Sequence, residues 1–168
     1  MGSAIARGLL GLMLALVTAM ASAASAAEPA RITKYFPVCV RPIPGVTHIV
    51  RVGIDAAEGQ FLGQGGAVDY MIGYNPSLPA SMGRGVREGR LTESLQLLAE
   101  SDGPLQKDAY GKPIGYGVER LYGLSNGDVD TPKGPIQEKI FVQLWADGHG
   151  QNVRLLKKVG DALSRCPK

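Results

Sequence analysis

The side chains able to do covalent chemistry are few and far apart in this chain: two histidines, His48 and His149, two cysteines, Cys39 and Cys166, and serines with no motif around them. Nucleophilic catalysis needs a base within reach of the nucleophile and usually a third group to orient that base. His149 stands two residues from Asp147, and a serine such as Ser81 completes a triad on paper. This defines one alternative, a small secreted hydrolase using His149 and Asp147. The Gly-x-Ser-x-Gly elbow that would present such a serine is absent. Glycoside hydrolysis asks for two carboxylates across a cleft. Glu88, Glu93, Glu100, Glu119 and Glu138 are available, but their spacing pairs none of them.

Metal and phosphate chemistry find still less support. Neither histidine sits in a zinc-ligand spacing. Asn126, Asp128 and Asp130 begin like a calcium loop, yet Thr131 stands where the loop needs glycine and Gln137 where it needs a bidentate acid. Gly59, Gly63, Gly65 and Gly66 precede a strand, not the helix that a phosphate-cradling loop requires, and read as a hairpin or bulged loop. The sequence therefore calls for no cofactor and no metal, and it designates no catalytic residue.

What remains suits non-covalent binding. Arg84, Arg87 and Arg90 recur at intervals of three in residues 78–90, and loops of that length in a compact domain are often functional. Phe141 and Trp145 share a strand face with Lys139 and Gln143, a face either covered by a loop or open as a platform. Tyr70, Tyr74, Tyr116 and Tyr122 add amphipathic contact area, with filling the core as their commoner use. The expected binding residues are Phe141, Trp145, Arg84, Arg87 and Arg90.

These residues must be positioned by a small set of elements. Residues 135–166 give the clearest pattern: a strand with Ile140, Val142 and Leu144 on its core face, a turn at 147–150, and a helix over 151–165. Leu155, Leu156, Val159 and Leu163 fall in one helical sector, with Arg154, Lys157, Lys158, Asp161 and Arg165 opposite, and Cys166 projects from the apolar side. Alternation over 46–54 predicts a half-buried strand that places His48 on the apolar face as a neutral, hydrogen-bonded ring. Val68, Tyr70, Ile72 and Tyr74 share one face of the next strand. Residues 91–101 fit a helix, although Leu95, Leu97 and Ala99 also alternate. Ile114, Tyr116 and Val118 share one side of an extended segment, to which Leu121 returns if Gly117 hosts a bulge. Asn126-Gly127 is a turn signal. Residues 28–44, broken by Pro37, Pro42 and Pro44, read as an edge strand or extended lead-in.

Residues 1–27 show one Arg, an apolar run of about twelve residues and a small-residue end, the pattern of a secretory signal peptide. The run is shorter than the roughly 20 residues of a membrane-spanning helix, and no candidate span follows in 28–168. Beyond an export signal, two cysteines read as a disulfide, Cys39–Cys166. Of the 18 Lys and Arg and 15 Asp and Glu, only Arg7 lies in 1–27, and the balance left is too even to imply nucleic acid as a partner. The expectation is one exported α+β domain over 28–168: an antiparallel sheet of about four to five strands with a C-terminal amphipathic helix on one face and one disulfide. Its expected role is that of a small non-enzymatic binding protein of a bacterial-type envelope or periplasm, inhibitor-like or toxin-neutralising, whose partner is a protein or envelope component.

Overall fold

Period-two patterning organises far more of this chain than the helical periodicity does. The computed structural model describes residues 28–53, 55–63, 65–74, 89–104, 116–148 and 150–168; residues 1–27, Ser81, Arg84, Arg87 and His149 lie outside them. The strands are β1 (Ala30–Arg31), β2 (Val38–Val40), β3 (Thr47–Val52), β4 (Ala56–Gly63), β5 (Gly66–Gly73), β6 (Gln96–Pro104), β7 (Tyr116–Val129) and β8 (Ile136–Asp147), followed by helix α1 (Gly150–Ala162) and β9 (Leu163–Arg165). Six strands form an antiparallel sheet in the order β3-β4-β5-β8-β7-β6, and three form a second in the order β1-β2-β9. Among the described residues the fold is thus mostly sheet with one C-terminal helix, and it has more strands than the four or five expected.

The extra strands come from places where glycine or proline masks the alternation. Gly59 and Gly63, expected in a loop, lie inside β4, and only the step to Gly65, with its positive φ of 71°, makes the turn into β5. Gly59 has a packing reason: a Cβ there would meet the Tyr70 ring at 2.8 Å, so glycine lets Tyr70 lie across the strand. In the proline-rich start, β2 falls between Pro37 and Pro42, so no proline interrupts it. It is the central strand of the small sheet, paired with β1 and β9, and not the edge strand that the prolines suggested.

One face of the large sheet, the inner face, carries the main core. Phe61, Val68, Tyr70, Ile72, Tyr122, Leu124, Ile140, Val142 and Leu144 are buried there. Leu155, Leu156 and Val159 of α1 pack onto them from one side, and Ile32, Phe36 and Val38 of the small sheet complete the cluster. The exposed helix face carries Arg154, Lys157, Lys158 and Asp161, as the helical wheel requires. The helix stops at Ala162, earlier than expected, and the chain becomes β9, where Ser164 pairs with Cys39. Cys166 therefore reaches Cys39 from the end of a paired strand and not from the helix. Their Cα atoms are 4.9 Å apart and the disulfide closes over 127 residues.

Three further expectations change on the sheet. Residues 91–101 give no helix: Gln96–Pro104 pairs with β7, and a bulge between Leu97 and Ala99 absorbs the leucine run. Pairing against a 14-residue neighbour outweighs helix propensity here. Leu121 does not return to the Val118 side, because β7 has no shift at Gly117; it lies fully buried on the opposite, outer face. Asn126-Gly127 is a bulge inside β7, with Gly127 at φ 108°, and the β7–β8 turn falls at Thr131–Gly134, where each backbone amide of that pair bonds the other's carbonyl.

Two stability predictions follow from this packing. Replacing both cysteines by serine lowers the unfolding free energy by about 4 kcal/mol in denaturant titration, since the bond constrains a long loop of the unfolded chain. In the exposed interior of a helix, glycine to alanine gains about 1 kcal/mol, but a Cβ on Gly160 would collide with the Tyr122 hydroxyl. Gly160→Ala therefore lowers the melting temperature, and Tyr122→Phe in the same chain recovers part of the loss.

Candidate functional site

The outer face of the large sheet is divided in two by what covers it. At one end residues 89–92 lie over β7 and β8. Leu91, with Leu98 and Ala99 beside it, packs on Leu121 and Phe141 as a second small core. The segment is fastened by its backbone: the Gln137 carboxamide donates to the Leu91 carbonyl (2.9 Å) and accepts from the Leu91 amide (2.8 Å). The Ser125 amide donates to the Thr92 carbonyl at 2.8 Å, and Lys139 Nζ to the Gly89 carbonyl at 2.6 Å. Phe141, expected as a binding residue, is 5 % exposed beneath this cover. Arg90 sits above it, ion-paired with Asp128 at 3.3 Å.

At the other end the same face is open. The antiparallel register lines up Ile49, Gln60, Asp69, Trp145 and Glu119 across five strands. Arg51, Glu58, Met71 and Gln143 form the neighbouring row. Trp145 is half-buried and borders a groove of about 190 Å³ walled by Ile49, Arg51, Glu58, Gln60 and Asp69. Gln60 Nε2 donates to Asp69 Oδ1 at 2.7 Å, which orients that carboxylate beside the indole. A partly solvated aromatic ring with a fixed carboxylate beside it and an arginine farther along the same groove can stack on a ligand and hydrogen-bond its rim.

Deeper in the same row lies a buried carboxyl. Glu119 is 5 % exposed and accepts a hydrogen bond from Gln143 Nε2, while Gln143 Oε1 has no partner among the described residues. Burial raises the Glu119 pKa above its usual 4.5, against the opposing pull of the Gln143 donor. Of the other candidate acids, Glu88 lies outside the described residues and three have partners of their own: Glu93 pairs with Lys168 at 3.2 Å, Glu100 with Arg120, and Glu138 with Asn126. They do not converge on a cleft.

Among the described residues the one histidine, His48, is also occupied. His48 stands on the edge strand β3, where solvent reaches it, but its Nε2 meets the Tyr70 hydroxyl at 2.6 Å and its ring stacks on Phe61 at 4.8 Å. Desolvation lowers its pKa and so favours the neutral ring. Asp147 accepts from Asn152 Nδ2 at the start of α1, while His149 and Ser81 lie outside the described residues. Among the described residues no three His, Cys, Asp or Glu side chains gather to hold a metal ion, and no helix is long and apolar enough to cross a membrane.

Of the five expected binding residues, the structure thus brings Trp145 alone to the open groove. Arg84 and Arg87 fall outside the described residues, and Arg90 lies about 25–30 Å along the strands from Trp145. Ile49, Arg51, Glu58, Gln60 and Asp69 join Trp145 through register, a relation visible only once strand pairing is known. The chain matches no protein-family model, no curated protein and no solved structure.

The buried Glu119 has a measurable consequence. A carboxyl whose folded pKa lies above its unfolded value adds stability below the unfolded pKa, and that stability is lost as pH rises through the folded pKa. Unfolding free energy is expected to decline as pH rises above about 4.5 until Glu119 is ionised. In Glu119→Gln that decline is absent, and the variant is more stable than the parent at pH 7 by about 1 kcal/mol, because an uncharged carboxamide can also donate to Gln143 Oε1. Denaturant titrations from pH 4 to 8 measure both effects.

Proposed function

We propose that this protein is an exported, non-enzymatic binding protein and that it takes hold of a protein or envelope component outside the cytoplasm. The observation that carries the reading is the open half of the outer sheet face, where Trp145 borders a groove edged by Arg51, Glu58 and Asp69. Export rests on the character of residues 1–27 and on a disulfide, which persists outside reducing compartments. The groove supplies an aromatic anchor within a polar rim, the composition typical of the centre of a recognition surface.

Trp145 is the protein's one tryptophan, so its emission reports on the groove without labels. A partner recovered from the exported fraction should shift that emission on titration. Trp145→Ala should weaken binding by about 2 kcal/mol, or roughly thirtyfold, with the melting temperature little changed. Full-strength binding by Trp145→Ala, or substrate turnover that His149→Ala abolishes, would overturn the reading.

A further inference from the structure

The two edges of the six-stranded sheet are built in opposite ways. Edge β6 carries several features that discourage pairing with another chain: a bulge at Leu97/Ala99, acidic Glu100 and Asp102, and a terminal proline with no amide to donate. Edge β3 carries almost none. Its six residues, Thr-His-Ile-Val-Arg-Val, pair with β4 in unbroken register, with no glycine, no proline and no bulge. All six are exposed, including Ile49 at 47 %, Val50 at 40 % and Val52 at 48 %. Among the described residues nothing pairs with the other side of this strand.

From this contrast we infer that β3 is a pairing edge whose occupant is β3 of a second copy, joined antiparallel about a two-fold axis at Val50. The strand is self-complementary in that register. Val50 faces its counterpart, His48 faces the partner copy's Val52, and Ile49 faces the partner copy's Arg51. Arg51 is the only charged residue of the strand, and it meets an aliphatic side chain and not another arginine. Centring on Arg51 would set like charges against each other, which destabilises a strand pair. A one-residue slip would turn the helix-bearing faces to opposite sides and bring His48 against arginine. The Val50 register instead keeps the inner-face row of His48, Val50 and Val52 together across the seam.

The result is a continuous twelve-stranded sheet with both helices on one side and both Trp145 grooves on the other. Ile49 and Arg51 belong to the seam and to the groove wall at once, so dimerisation places the two grooves side by side. At about 4.8 Å per strand, the two tryptophans stand roughly 30–35 Å apart. A six-residue seam about 20 Å long is small for an interface, so the dimer dissociates on dilution.

Sedimentation of the purified protein over a concentration series tests this. The expected result is a reversible monomer–dimer equilibrium. Val50→Lys should be monomeric with an unchanged circular dichroism spectrum, and mixing it with Val50→Glu should restore a heterodimer. Hydrogen exchange on the unaltered protein gives a readout independent of any variant: protection of β3 amides rises with concentration while that of β6 does not. A protein that stays monomeric to about 1 mM, a Val50→Lys variant that still dimerises, or a Lys/Glu mixture that fails to associate would each overturn the inference. So would β3 protection that appears only when a different polypeptide is added, which would assign the edge to a foreign strand. None of these outcomes depends on Trp145, so they leave the reading of the groove untouched.

Discussion

The cover over the inner face of the large sheet is what the remaining structure depends on, and it is built from the two ends of the folded chain. Helix α1 covers β5, β8 and β7, and the three-stranded sheet closes the same core with Ile32, Phe36 and Val38. Neither piece is large. The helix has 13 residues and β2 has three, and segments so short are marginal alone. The β2–β9 pairing and the Cys39–Cys166 bond join them into one lid, so that burial by either holds the other in place. Asn152 extends the hold to the far end of the helix, its Oδ1 accepting the Ala67 amide of β5 at 2.9 Å.

Because that lid satisfies only one face, the outer face has to be resolved separately. The solution is uneven. Leu91 and its neighbours bury Leu121 and Phe141, held by Gln137 and Ser125, whereas the Trp145 end has polar neighbours and stays accessible. An apolar cluster under one half and a polar row across the other divide a single sheet face into a covered end and an open end. The unblunted β3 edge lies at the open end, where Ile49 and Arg51 belong to the edge strand and to the groove wall alike.

Much of this architecture was legible from local pattern. The strand with Ile140, Val142 and Leu144 inward, the strand with Val68, Tyr70 and Ile72 inward, the amphipathic helix and the disulfide all follow from periodicity and cysteine count, because each depends on which side of an element is apolar. The misreadings share a cause. Gly59 within β4, the leucine run of β6 and Asn126-Gly127 within β7 look like loop, helix and turn because local propensity ignores the neighbouring strand. A glycine tolerated for the sake of Tyr70, or a bulge that absorbs one leucine, makes sense only against its partner.

The sequence by itself determined which side of the strands holding Val68, Tyr70 and Ile72 and Ile140, Val142 and Leu144 would be inside, that an amphipathic helix would lie near the C-terminal end, and that the two cysteines had reason to meet. Each is written in side-chain type at spacings of two or of three and four, where hydrophobic burial acts on one element at a time. The same pattern did not foresee that β3, read as half-buried, would be exposed along its whole length. Only the tertiary structure decided that Phe141 would be roofed and Trp145 left open, though the two are four residues apart on the same face of one strand. That difference depends on where residues 89–92 cross the sheet and on a register spanning strands distant in sequence. Neither is encoded in the strand that carries the two aromatics.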